Sequence, residues 1–300
     1  MIRRARTPRG GELRDIATRD GRIIALDTYA PGEPREAAVV LDVDGALVTS
    51  ALVEAHIHLD AVLTVGQPRF NQTGSLFEGI AIWAVRVRNM TVDDVKRRVR
   101  TVLRWQLSHG VLFVRSHVDV CDPKLTALRA LLELREEVAG QITLQLVAFP
   151  QQGIASFPDG EALMRRAVAL GVEAVGASPH FELTREYGEH SVKFAMALAA
   201  EHGQLVDIHC DETDDEQSRF LEVLAAETIR LGLEGRVTAS HATAMHSYNN
   251  AYAYRLINNV RRARLHLVTN PLDNAVLQGR FDGYPIRRGT PLPGMVARRP

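Results

Sequence analysis

The sequence predicts an α/β fold, a (β/α)8 barrel of the TIM type, on three observations. Apolar, β-like runs recur about every thirty residues from Val111 onward, the length of one βαβ unit. Helix-patterned stretches separate these runs, so the strands are expected to be parallel. Histidines and acids stand at the carboxyl ends of several runs, the face on which such a barrel gathers its chemistry. A doubly wound open sheet is the alternative, but no G-x-G-x-x-G follows a strand.

Residues 1 to 50 read as a small N-terminal β element. Asp20-Gly21 lies between Leu13 to Ala17 and Arg22 to Leu26, a hairpin pattern. Residues 51 to 270 carry the barrel. Its first run, Leu52 to Asp60, places His56 and His58 two apart, hence on one face of a strand. Thr91-Val92-Asp93-Asp94 then opens a helix with a capping hydroxyl and early acids. The later runs are Val111 to Val118, Ile142 to Phe149, Val172 to Ala177, Leu205 to His209, Val237 to His241 and Leu265 to Val268. With the first they make seven strands, one short of closure. Residues 271 to 300 hold Pro271, Pro285, Pro291, Pro293 and Pro300 and show no helical or strand period, so they read as loop and tail.

Composition narrows the function. Lys plus Arg and Asp plus Glu number 36 each, so no global field draws the chain to nucleic acid or to an anionic membrane. The expected partner is a small molecule met at a local site. No apolar run reaches membrane-spanning length, and the basic amino terminus lacks the apolar stretch of a secretory signal. Cys121 and Cys210 form no C-x-x-C, which argues against a disulfide framework or a structural zinc cluster and fits a reducing cytoplasm.

His56, His58 and His209, gathered from two strand ends, are candidates to hold one metal ion; otherwise they are core histidines satisfied by neighbours. Glu212, three residues after His209, could carry a proton between water and a substrate nitrogen, or could cap a helix within the acidic stretch Asp211 to Glu216. His241 could orient a ligand or donate to a buried carbonyl. His117, His180 and His246 could line the site or merely sit near strand ends. Gln151, just past the run ending in Phe149, offers one donor and one acceptor to a flat heterocycle, or is an ordinary loop glutamine.

Several blocks resemble bacterial cytosine deaminase of the amidohydrolase superfamily. They are Glu54-Ala55-His56-Ile57-His58-Leu59-Asp60, Gly66 to Ile80, His209 to Phe220, and Ser240-His241-Ala242-Thr243-Ala244-Met245-His246-Ser247-Tyr248-Asn249. The likeness runs from about residue 13 to Gly289. It implies one divalent transition metal, iron or zinc, on His56, His58 and His209, and a metal-bound hydroxide that converts cytosine to uracil and ammonia. It further implies Glu212 as proton shuttle, His241 as polarising group, Gln151 and the segment around Leu76 as substrate contacts, and a homo-oligomer in the full-length family. The H-x-E and P-C-x-x-C signature of the other zinc deaminases is absent. After Gly289 the family's eighth strand, with its metal-binding aspartate, is replaced by Thr290 to Pro300, so an inactive, truncated remnant is one alternative. Deamination of isocytosine, a triazine or creatinine is another. Asp273 and Asp282 lie nearby, but their spacing does not mark either as a replacement carboxylate.

Overall fold

The computed structural model describes residues 1–32 and 36–287, and the chain divides into two compact units, Met1–Leu52 and Val53–Pro300. In the first unit, β1 (Ile2–Ala5), β2 (Arg14–Arg19), β3 (Arg22–Thr28) and β4 (Leu41–Asp42) form a sheet of order β3-β2-β1-β4. Strands β2 and β3 are the expected hairpin. Asp20 and Gly21 both have positive φ, 50° and 73°, the conformation a two-residue turn of this hand requires. Buried Asp15 holds the sheet from inside, accepting from Arg3 Nε and the Arg4 backbone, each at 3.2 Å.

The second unit opens with β5 (Leu52–Ile57), then two helices, α1 (Leu76–Val87) and α2 (Val92–Ser108). Strands β6 (Val111–Asp119), β7 (Thr143–Phe149), β8 (Ala174–Val175), β9 (Leu205–Cys210), β10 (Val237–His241) and β11 (His266–Val268) follow. Helices α3 (Thr126–Glu137), α4 (Gly160–Ala169), α5 (Arg185–His202), α6 (Phe220–Leu231) and α7 (Asn250–Arg262) alternate with them. The strands lie side by side in chain order, β11-β10-β9-β8-β7-β6-β5, in a seven-stranded parallel sheet that curls most of the way into a barrel. Among the described residues no eighth strand joins β5 to β11. The altered tail read after Gly289 lies outside the described residues. No described helix is long and apolar enough to cross a membrane.

Helix α2 forms where its cap predicts, with Thr91 Oγ1 accepting from the Asp94 backbone at 3.2 Å. It buries Val95, Val99, Val102 and Leu103, each contributing about 1.5–3 kcal/mol on full burial. Its one buried cation, Arg98, donates to the carbonyls of Asp60 and Val62 at 2.8 and 2.6 Å, which pins the loop leaving β5.

Two elements depart from the sequence reading. Strand β8 spans only Ala174–Val175 instead of Val172 to Ala177, although Gly176 N–H still donates to the Ala148 carbonyl at 2.8 Å, and Gly176 packs closely against backbone on both sides. A Cβ there would come within 2.8 Å of the Ala148 carbonyl oxygen and 3.1 Å of that of Asp207. A short helix, α8 (Pro271–Leu277), stands where proline content suggested loop. Pro271 begins it, in the first turn, where the missing N–H costs nothing and the fixed φ already suits a helix.

Candidate active site

Each sequence-predicted site residue reaches one cavity of about 720 Å³ at the carboxyl ends of the strands. His56 comes from β5, His58 from just beyond it, His209 from β9 and His241 from the end of β10. Glu212 lies on the loop after β9, Gln151 on the loop after β7, and Leu76 opens α1.

Three of the imidazoles converge. His58 Nε2 and His209 Nε2 are 3.0 Å apart, and one ring nitrogen from each of His56, His58 and His209 falls within 4.8 Å of the others. Burial, and for His56 and His209 the neighbouring histidines, push all three away from the charged form; His58 falls to about 4. Neutral imidazole is the form that ligates a metal. His56 Nε2 and His209 Nδ1 are buried without hydrogen-bond partners. The donor set and its unsatisfied nitrogen on His56 therefore fit a divalent transition metal, and nitrogen donors accept zinc or iron.

The acids beside them divide their work. Asp211 is fully buried and accepts from Ser218 Oγ at 2.7 Å and from the backbones of Phe220 and Leu221 at 2.9 and 3.0 Å, so Asp211 anchors the start of α6. Glu212 turns into the cavity instead, with Oε1 at 3.3 Å from His241 Nδ1. Burial first, and the carboxylate of Asp273 second, drive Glu212 well above the usual carboxyl range. Glu212 and Asp273 are hydrogen-bonded to each other, and Asp273 Oδ2 is 3.8 Å from His241 Nδ1. The side-chain amides of Asn270 and Asn274 also reach the His241 ring, at 3.2 and 3.1 Å.

Asn270 and Asn274, at the start of α8, escaped the sequence reading, which named Asp273 but gave it no role. The Asn270-Pro271 pair, a helix-start pattern, was the available signal. Strain marks the same corner: His241, Ala242 and Asp211 have φ of 70°, 51° and 53°, in the left-handed region that non-glycine residues rarely adopt.

Gln151 and Leu76 both line the cavity, and the loop of Gln151 and the helix that Leu76 opens share one support. Buried Asp119 accepts from the Gln151 backbone at 3.3 Å, the Cys121 backbone at 2.8 Å and Trp83 Nε1 of α1 at 2.8 Å. Asp119 and Trp83 were not foreseen, because the sequence does not reveal that α1 reaches the end of β6. Of the uncertain histidines, His117 is buried 4.1 Å, ring to ring, from His56, and His180 lines a neighbouring cavity shared with Glu212. His246 lies in a 3-10 turn and does not line the main cavity.

A model of the amidohydrolase family matches residues 39–297. The chain belongs to the amidohydrolase family. The matched span runs past Gly289, where the likeness read from sequence ends. The chain is 31% identical to N-isopropylammelide isopropyl amidohydrolase of Pseudomonas sp. (strain ADP), covering 81% of this chain and 60% of that protein. It is 30% identical to the pterin deaminase of Rhizobium rhizogenes, covering 93% of this chain and 63% of that protein. The chain thus spans less than two thirds of either of these amidohydrolase relatives. The crystal structure of 5-methylcytosine deaminase from Klebsiella pneumoniae, liganded with 5-fluorocytosine, is similar with a TM-score of 0.94 and 45% identity, over 98% of this chain and 71% of that one.

Proposed function

We propose that this amidohydrolase site carries out hydrolytic deamination of a flat amino-heterocycle, with cytosine as the leading substrate. The observation that carries the reading is the convergence of His56, His58 and His209 beside the Glu212–His241 pair, with Gln151 in the same cavity. The Klebsiella 5-methylcytosine deaminase likeness supports a pyrimidine. The triazine and pterin enzymes among the relatives support the wider class of ring, and the cavity has room for it.

In this reading His56, His58 and His209 hold one divalent ion, which supplies Lewis acidity and makes water nucleophilic near neutral pH. Glu212 keeps a proton in a buried setting and hands it to the ring nitrogen next to the carbon under attack. His241, steadied by Asn270 and Asn274, orients the groups around that carbon. Gln151 pairs with the ring edge through its amide, donating and accepting once each. Ammonia leaves and the ring gains a carbonyl.

The test is ammonia release and product identity for the metal-reconstituted chain with cytosine, 5-methylcytosine, isocytosine, an aminotriazine and pterin. Uracil from cytosine is the expected result. A preference for pterin or triazine would move the substrate within the class, and no turnover of any of them by a metal-loaded chain would overturn the reading.

A further inference from the structure

A hydrogen-bond chain crosses the barrel interior to His56. Ser240 Oγ, on β10, donates to Asp207 Oδ1 of β9 at 2.7 Å and lies 3.0 Å from His56 Nδ1 of β5. The other oxygen of Asp207 accepts from Arg115 Nη1 of β6 at 2.7 Å. Arg115 is fixed in turn by Gln145 Oε1 at 2.6 Å and Thr238 Oγ1 at 3.3 Å. Asp207 and Ser240 are fully buried.

The serine has one proton, and Asp207, an acceptor held by a guanidinium, takes it. Ser240 Oγ therefore has only lone pairs to offer His56, so Nδ1 of His56 must be the nitrogen that bears hydrogen. Its Nε2 is left with a free lone pair, and that atom is buried with no hydrogen-bond partner, in the ring that clusters with His58 and His209. His56, His117 and Asp207 also sit close enough to cup a cation. Both oxygens of Asp207 are already engaged, one by the positive charge of Arg115, which leaves the relay as the role its geometry fits.

We propose that Ser240, backed by Asp207 and Arg115, is a positioning residue that locks His56 in the Nδ1–H tautomer and aims Nε2 at the metal. This rests on His56 being a ligand, as proposed above. Outer partners of ligating histidines typically change metal affinity by about 10–100-fold when removed.

Ser240→Ala is the chosen variant, because removing Asp207 or Arg115 would strand a buried charge and endanger the fold. Zinc and cobalt dissociation constants, measured by chelator competition, should rise about 10–100-fold in Ser240→Ala and return toward wild type in Ser240→Thr, which restores the hydroxyl. Wild-type affinity in a folded Ser240→Ala protein would overturn the inference while leaving the ligand assignment intact. The second measurement needs no variant: two-dimensional ¹⁵N correlation spectra of the metal-free wild-type chain should show His56 protonated at Nδ1 and bare at Nε2. The opposite tautomer would overturn the relay. Failure of the wild-type chain to bind either ion would instead strike the ligand set, and the tautomer spectrum would still judge the relay.

Discussion

Asp211 and Glu212 are adjacent and both buried, yet what surrounds their oxygens separates them. Asp211 meets the hydroxyls of Ser218 and Tyr248 and two backbone N–H groups, which fix it to the start of α6. Glu212 meets His241 and a second carboxyl, Asp273, surroundings that favour its neutral form. Glu212's surroundings leave its carboxyl open to the cavity and suited to moving a proton, whereas Asp211's oxygens are taken up by the loop and helix they hold. Gln151 is defined the same way, by a backbone pinned to Asp119 and a side chain free to meet the ligand. Gln151→Ala is expected to lower kcat/KM for cytosine by about 1–3 kcal/mol while leaving metal content unchanged, as paired hydrogen bonds in a desolvated pocket are lost. Steady-state kinetics on metal-matched proteins check this.

At the scale of elements, the approach to the cavity depends on the loop leading into α1. Glu78 accepts from the Thr73 backbone and hydroxyl, each at 2.7 Å, and from Arg69. These bonds, the backbone one first, hold its carboxyl at about 2 instead of 4.5. A depressed carboxyl stabilises the folded loop fully above its unfolded value and loses that contribution as pH falls from about 4.5 toward 2. Proteolysis of the 66–75 segment should therefore accelerate across that window in wild type and be flatter with pH in Glu78→Gln. Gly176 makes a steric prediction. A methyl group there meets two backbone carbonyl oxygens that cannot rotate away, so Gly176→Ala should cost about 1–3 kcal/mol in denaturant unfolding.

The same elements mark how far the sequence could be read. Strands of five or more residues stood out, because long apolar runs bounded by turn signals have one ready interpretation. Strand β8 was overdrawn, and the crowding of Gly176 by residues 148 and 207, remote in sequence, could not be read either. Helix α8 was hidden behind the proline-rich reading of residues 271 to 300, and with it the parts played by Asn270 and Asn274, while Asp273 was seen but its spacing gave it no role. The histidines and Glu212 were visible as residue types at strand ends. Finding Trp83, Asp119, the Asp211 anchor and the Ser240 relay depended on contacts between elements far apart in the chain.

For the whole molecule, the barrel matters because it brings His56 and His58 from the first strand to His209 from the fifth. The purified chain should bind about one zinc or iron ion, with the ion removable by chelator and with a lower Tm once it is removed, since a ligand held only by the folded state stabilises it. Metal analysis of a His56→Ala, His58→Ala double variant should find almost none, and unchanged stoichiometry would refute the ligand set. The central claim, however, is chemical. It is tested most directly by ammonia release from cytosine, comparing wild type and Glu212→Gln at equal metal occupancy. The account predicts equimolar uracil and ammonia from wild type and a kcat lower by about 10²–10⁴-fold in the variant, the usual contribution of a positioned proton carrier. Equal turnover by the two proteins, or none by a fully loaded wild type, would contradict it.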